Sequence, residues 1–258
     1  RNGFLGAYVF AAGTYIFMGT LFELFGLQAV NTNGMSMSLP APLSDINAAI
    51  ALGCLSYLII VSGGVFSPAP EQQPGDFVIA CDRGYAYCER LGLTPDLFIG
   101  DFDSYSGAVA PGVAVERLIP EKDDTDTGHA ITYALAHGFR TLVLTCALGG
   151  RLDHTLANLQ NAANAAVQGA SVTILDEGSV ISFLTHGTLR LKKRPGWGLS
   201  VFSLSDASTG VCLRGVKYEL ENAVLDNRFP LGVSNEFDAP EAEIAVGQGI
   251  LLVMQTKK

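Results

Sequence analysis

The chain has little positive charge, few histidines and no paired cysteines, and each shortage argues against a class of protein. Sixteen Lys and Arg stand against 25 Asp and Glu, which gives a net charge of −9 over 258 residues. No nucleic-acid partner is expected, because binding a phosphate backbone requires a basic face. The five cysteines form no CxxC pair, as is typical of reduced core thiols in a cytosolic protein. The four histidines share no zinc-ligand spacing, so no zinc site is predicted.

The common glycine-rich nucleotide-binding patterns are also missing. Gly63 and Gly64 follow an apolar run, but neither a GxGxxG nor a Walker pattern surrounds them. They are therefore only a weak phosphate-loop signal. If the chain binds a nucleotide, residues outside these patterns must hold the phosphates.

Residues 1–53 carry only three formal charges, at Arg1, Glu23 and Asp45. Within them, residues 3–22 form a run of 20 uncharged residues, about the length that spans a bilayer as a helix. Three interpretations stay open for this N-terminal extension: a membrane anchor or the tail of a fused membrane protein, a buried hairpin of helices, or an artefact of gene prediction. We favour the anchor, since a signal peptide would have a basic start and a shorter apolar run.

After residue 53, short apolar runs alternate with helix-like stretches, which predicts an α/β domain with a parallel sheet over residues 54–178. The predicted strands are residues 58–61, 77–81, 97–99, 115–119, 141–146 and 172–175. The predicted helices are residues 83–91, 125–137 and 154–168.

From residue 179 to residue 258 the helical period disappears and short strand-like runs recur between turns, which predicts an all-β domain, a β-sandwich or a partly closed barrel. The predicted strands are residues 180–184, 188–191, 199–204, 211–213, 216–220, 243–245 and 250–255.

Acidic turns follow several of the predicted α/β strands. Asp82 follows the second strand, Asp101 and Asp103 follow the third, and Asp126 opens the second helix behind Thr125 as its cap. In an extended turn the two aspartates around Phe102 project to one side while Phe102 packs inward. Carboxylates at the carboxyl ends of strands suit Mg²⁺, which takes oxygen ligands and keeps substrate phosphates in its shell. Taken alone, an Asp-Ser pair after a strand is more often an Asx turn.

Seven segments in this order resemble the thiamine pyrophosphokinase family, which moves a diphosphate from ATP to the hydroxyl of thiamine and releases AMP. They are residues 57–64, 95–104, 122–126, 149–154, 215–218, 232–237 and 250–254. The resemblance covers about 200 residues, nearly everything after residue 53.

The resemblance implies a Mg²⁺-dependent kinase that uses ATP and thiamine. It implies three metal ligands, Asp101, Asp103 and Asp126, which with Arg151 would be the catalytic residues. Other implied contacts with ATP come from residues in the turns: Asp82, Gly84, Gly100, Thr125 and, again, Arg151. Without the resemblance, Arg151 could equally form a salt bridge to Asp153 or Asp124, and Asp153 could cap a helix.

For thiamine, the resemblance implies contacts with Asp153, Ser234 and Asn235. Phe237 is the candidate to stack on the substrate, since the one tryptophan, Trp197, lies far upstream in a Pro-Gly-Trp-Gly turn. The resemblance also implies a homodimer with active sites shared between subunits. The catalytic region would be cytoplasmic, tethered to a membrane if residues 3–22 are an anchor.

Two other functions stay open. One is a Mg²⁺-dependent nucleotide pyrophosphohydrolase, in which water replaces thiamine. The other is a non-catalytic thiamine sensor or an accessory domain of a membrane transporter, which the apolar N-terminus would suit. The complete acidic set argues against a domain without activity.

Overall fold

The computed structural model describes residues 57–102, 104–105, 107–119 and 124–258, and the backbone of residues 28–30 and 36–38. The chain divides into two compact units, Arg1–Leu55 and Ser56–Lys258. In the first unit, β1 (Gln28–Val30) pairs antiparallel with β2 (Ser36–Ser38). The predicted membrane span, residues 3–22, lies outside the described residues. Among the helices that the structure does describe, none is both long and apolar enough to cross a membrane.

The second unit begins with a parallel sheet of six strands, as predicted, with bounds within two residues of the prediction. The strands are β3 (Leu58–Val61), β4 (Phe77–Cys81), β5 (Leu97–Gly100), β6 (Ala114–Arg117), β7 (Thr141–Thr145) and β8 (Ser171–Leu175). All their mutual pairings are parallel. The three predicted helices are α1 (Gly84–Leu91), α2 (Asp126–Ala136) and α3 (Leu152–Val167).

Both faces of this sheet are covered, which explains its continuous apolar runs. In β3, Leu58 and Ile60 pack under α2 and α3, whereas Ile59 and Val61 belong to the core on the α1 side. The strand order β8-β7-β3-β4-β5-β6 reverses direction between β3 and β7. Ligands of open α/β sheets bind outside the carboxyl ends of the strands near such a reversal. The fold therefore places the candidate site at that edge.

The rest of the chain is antiparallel and forms an all-β domain, as predicted; of the two predicted forms, its two sheets correspond to the sandwich. Its strands are β9 (Ser179–Leu184), β10 (Gly187–Lys192), β11 (Trp197–Ser203), β12 (Ser208–Arg214), β13 (Leu220–Leu225), β14 (Gly232–Asn235), β15 (Glu241–Val246) and β16 (Leu251–Lys257). One sheet has four strands, β10-β15-β12-β13. The other is the far end of the parallel sheet, because β9 pairs antiparallel with β8 and extends it to ten strands.

The sandwich core lies between these two sheets. Its largest buried side chains include Leu199 of β11, Leu213 of β12 and Ile244 of β15. The strand predicted at residues 216–220 is wrong, since β13 begins only at Leu220 and Val216 makes a single bridge to Phe237. Gly215, with φ of 71°, turns the chain there and ends the ladder of β12. Residues 232–237, where no strand is predicted, contribute β14.

Candidate active site

Close backbone packing joins the turns at the carboxyl ends of β3, β4 and β7. The Gly64 amide donates to the Cys146 carbonyl at 2.7 Å, and a Cβ at Gly64 would lie 2.6 Å from that oxygen. Gly84 is tighter still, because a Cβ there would lie 2.0 Å from the Val61 carbonyl oxygen. The predicted nucleotide-pocket residue Gly84 thus lets α1 begin directly against the end of β3.

Three of the predicted acidic side chains come together at this edge, and we name Asp82, Asp101 and Asp126 the carboxylate cluster. The side chains of Asp82 and Asp126 share a hydrogen bond, and the charge of Asp101 acts on Asp82. Gly100 makes room for the cluster, since a Cβ there would lie 2.1 Å from Asp82 Oδ1. The predicted ATP-binding residue Gly100 is thus a packing partner of Asp82.

The electrostatics of the cluster reflect crowded negative charge. Burial, followed by the hydrogen bond with Asp126 and the charges of Asp126 and Asp101, raises the pKa of Asp82 to about 7. With this pKa the Asp82 carboxyl is still partly protonated at neutral pH, which reduces its repulsion from the neighbouring carboxylates. A bound cation could take the place of that proton.

The backbone next to the cluster is held in an unusual conformation. Asp82 has φ of 44° and Phe102 has φ of 69°, in the left-handed region that a bulky residue rarely adopts. The Phe102 ring packs edge-to-face on Phe98 with centroids 4.6 Å apart, which confirms that it points inward. On its other side the Arg117 guanidinium lies 4.3 Å from the ring centroid. These contacts hold the turn that carries Asp101.

The start of α2 is built from hydroxyl groups. Thr125 caps the helix as predicted, with its Oγ1 accepting from the Gly128 amide at 3.0 Å. Beneath it, the buried hydroxyls of Ser62 and Thr127 lie 2.7 Å apart and connect the end of β3 to α2. This pair was not predicted from the sequence, although Ser62 directly follows a predicted strand. Together these bonds fix Asp126 in the first turn of the helix.

Asp103 lies outside the described residues, so its place relative to the cluster stays a prediction. In the part of the chain that is described, no group of three His, Cys, Asp or Glu side chains is arranged to hold a metal ion. The cluster is nonetheless rich in oxygen donors, which is the donor chemistry that Mg²⁺ takes.

Arg151 and Asp153 lie beyond β7, at the start of α3, behind two glycines in the left-handed region. They form a two-pronged ion pair, with Arg151 Nη2 2.6 Å from Asp153 Oδ2 and Nε 3.2 Å from Oδ1. The alternative salt bridge considered from the sequence is therefore present, to Asp153. The hydrogen bond with Arg151 lowers the pKa of Asp153. Both side chains are exposed, at 72% and 64%, so a ligand can reach them.

Ser234 and Asn235 lie on β14, one of the two outermost strands of the ten-stranded sheet; the other is β6. The exposed Ser234 has φ of 59°, and its amide donates to Ser200 Oγ at 3.1 Å. Asn235 is buried, and its side-chain amide bonds both the N–H and the carbonyl of Tyr218. These bonds join β14 to the backbone of the segment between β12 and β13.

The predicted stacking residue Phe237 is 6% exposed and packs in the sandwich core. It offers no free ring face, so that prediction is wrong. The alternation of apolar residues along the strands could not predict the burial of Phe237, because Phe237 lies outside any strand and makes an isolated bridge to Val216. Exposed rings nearby in the chain are Tyr218 at 61% and Phe229 at 66%.

Comparison with known families matches two models to the chain, in order. "Thiamin pyrophosphokinase, catalytic domain" matches residues 72–174, which contain the carboxylate cluster and the Arg151–Asp153 pair. "Thiamin pyrophosphokinase, vitamin B1 binding domain" matches residues 186–251, which contain Ser234 and Asn235. Together the two models cover about two thirds of the chain.

Individual proteins agree with the family models. The thiamine pyrophosphokinase of Bacillus subtilis (strain 168) is 26% identical over 186 residues, 69% of this chain and 86% of that protein. A crystal structure of a thiamin pyrophosphokinase family protein from Enterococcus faecalis has a TM-score of 0.66 at 28% identity, over 79% of this chain and 99% of its own. The Bacillus subtilis enzyme structure has a TM-score of 0.70 at 24% identity over 79% and 99%, and supports the fold. The chain is therefore an enzyme of the thiamin pyrophosphokinase family.

Proposed function

We propose that the chain transfers a diphosphate group from ATP to the hydroxyl group of thiamine, forming thiamine diphosphate and AMP. The observation that carries this proposal is the carboxylate cluster at the carboxyl edge of the parallel sheet, within the region matched by the catalytic-domain model. In the reaction, the thiamine oxygen attacks the β-phosphorus of ATP in line with the bond to the leaving AMP. Holding these two reactants in line would supply most of the rate enhancement.

The cluster supports a divalent cation at this site. Asp101, Asp103 and Asp126 would hold Mg²⁺, which when bound neutralises charge on the ATP phosphates. The raised pKa of Asp82 supports this assignment, because it reflects burial and neighbouring carboxyl groups, and a bound cation would offset both effects. Asp82 would keep its neighbours in place through its hydrogen bonds to Asp126 and to the Phe102 amide.

Arg151 is the proposed contact for the transferring phosphates. Its guanidinium fork fits phosphate oxygens as well as it fits the Asp153 carboxylate. Because an exposed ion pair contributes little stability, exchanging this partner for a phosphate group costs little. Asp153 would then be released to contact thiamine, as the family resemblance implies.

Thiamine binding would require a second subunit. Asp153 follows β7 and Ser234 lies on β14, five strand spacings away in the same sheet. At roughly 4.8 Å per spacing, the two lie about 24 Å apart within one chain, which is too far for both to contact one thiamine. A homodimer that places β14 of one subunit beside the α/β site of the other would bring them together. Exposed Leu152 and Leu156 on the first turns of α3 provide apolar surface for such a contact.

The experiment incubates the purified full chain with thiamine, ATP and Mg²⁺ and measures AMP and thiamine diphosphate by chromatography. Equal amounts of both products are expected. The Asp126→Asn variant should lose most activity, whereas Asp206→Asn, which changes an exposed aspartate in the β-sandwich, should not. AMP formed equally well without thiamine would instead indicate a pyrophosphohydrolase. Thiamine binding without either product would indicate a non-catalytic domain.

A further inference from the structure

Arg83 places a positive charge at the N-terminus of α1, a position that does not favour positive charge. It lies between Asp82 and Gly84, has helical dihedrals of φ −52° and ψ −26°, and precedes the first residue of α1. Its side chain makes no capping hydrogen bond. Positive charge is unfavourable at a helix N-terminus, where the unpaired amides already point outward. Arg83 therefore does not contribute to the stability of α1.

The start of the Arg83 side chain faces the turn after β3. A Cβ added to Gly63 would lie 3.4 Å from Cβ of Arg83, its nearest atom. The exposed side chain of Arg83 therefore starts between the carboxyl ends of β3 and β4, and it adjoins Asp82 of the carboxylate cluster. The turn after β3 is itself fixed by the bond from the Gly64 amide to Cys146.

Other arginines of the α/β half have partners. Arg151 pairs with Asp153, Arg117 lies over the Phe102 ring, and the Arg90 guanidinium lies 3.7 Å from the centroid of Phe66. Among the residues described here, none forms a hydrogen bond, ion pair or ring contact with the Arg83 side chain. Within the described part of the chain, only its backbone holds Arg83 in place.

We propose that Arg83 binds a phosphate group of ATP, a role that rests on the proposed function of this site. The carboxylate cluster repels a polyphosphate, and a guanidinium beside it offsets that repulsion while donating two parallel hydrogen bonds to phosphate oxygens. Arg83 and Arg151 would then contact the polyphosphate from two sides, after β4 and after β7. The sequence carried a signal for this, since Arg83 lies inside an acid-bearing turn after a strand.

The test measures binding of α,β-methylene-ATP with Mg²⁺ by calorimetry, because this analogue cannot be cleaved at the bond that the reaction breaks. Arg83→Gln should bind it about 10- to 100-fold more weakly, the usual effect of losing a hydrogen bond between charged groups. Arg83→Lys should recover part of the affinity. Arg90→Gln, at the other end of the same helix, is the matched control and should bind as wild type does. Circular dichroism should show that all variants are folded at the temperature of the binding measurement, so that a change in affinity does not come from unfolding.

Three results would overturn the inference: wild-type affinity in Arg83→Gln, an equal loss in Arg90→Gln, or no binding of the analogue by the wild type. The proposed function can fail separately. If the wild type binds the analogue but makes no thiamine diphosphate from ATP and thiamine, the phosphate contact stands and the assigned reaction falls.

Discussion

Gly84→Ala tests whether contact between backbones positions the catalytic edge. The added methyl would lie 2.0 Å from the Val61 carbonyl oxygen and 2.9 Å from that of Ser62. Ordinary contact begins near 3.4 Å, so the start of α1 must move away from β3 by about 1.4 Å. Both neighbours are backbone atoms at the buried end of β3, where Val61 is 0% and Ser62 is 5% exposed, and they cannot rotate away.

The size of the effect follows from two opposing contributions. Overpacking of this kind costs about 3 kcal/mol, at the upper end of the usual range because no side chain can yield. Replacing glycine by alanine in a helix returns about 1 kcal/mol. The net loss of about 2 kcal/mol predicts a fall in Tm of about 4–8 °C for a unit of this size. Asp82 and Arg83 would move with the helix, so the KM for ATP should rise as well.

Thermal unfolding followed by circular dichroism measures the first effect, and initial rates at varied ATP measure the second. Gly178→Ala is the matched control, since nothing lies within 4 Å of its added Cβ and its φ is not positive. A Gly84→Ala protein with the Tm and the KM of this control would refute the packing argument.

Three further predictions concern charge, assembly and the N-terminal extension. Burial and the Asp126 carboxyl raise the pKa of Asp82 from 3.8 to about 7, so its charge destabilises the folded state at high pH. We therefore expect the free energy of unfolding of the wild type, measured without divalent cations, to fall relative to that of Asp82→Asn as the pH rises from 3.8 through about 7. If urea titrations gave the same difference between the two proteins at every pH, this expectation would be contradicted. Mixed dimers of Asp101→Ala and Ser234→Phe subunits should regain activity through one intact shared site, and no recovery despite proven subunit exchange would exclude that sharing. Removal of residues 1–53 should leave kinase activity intact, and an inactive but folded truncated protein would show that the extension contributes to catalysis. Fractionation of the full chain without detergent tests the membrane anchor separately.

Much of the fold could be predicted because burial on both faces leaves a direct record in sequence. β3 is LIIV with every residue buried, and Gly63 and Gly64 follow closely after its end. β13 and β14 carry no such record. Their exposed positions include Val224 and Val233, so apolar residues do not mark the buried face. The Asn235 side chain of β14 bonds the backbone of Tyr218, a contact across 17 residues that local patterns do not encode.

The candidate site was predictable to a similar degree and for a related reason. Asp82, Asp101 and Asp126 follow strands or open a helix, and parallel strands bring their carboxyl ends to one edge. The sequence did not show that Gly84 and Gly100 act by letting other atoms approach. That function depends on which carbonyl or carboxylate lies opposite, which only the packed structure provides.

The ten-stranded sheet also bears on how the chain can be made. β16 is the last in chain order of the strands that the structure describes, yet it lies inside the sheet, between β9 and β11. Until β16 has been synthesised and has left the ribosome, β9 and β11 each present an unpaired edge that can join another chain. The parallel half can form earlier, since its six strands precede residue 176. Nascent chains that stall before residue 251 would therefore hold an assembled catalytic half beside two open edges, the form most prone to aggregate and most in need of a chaperone.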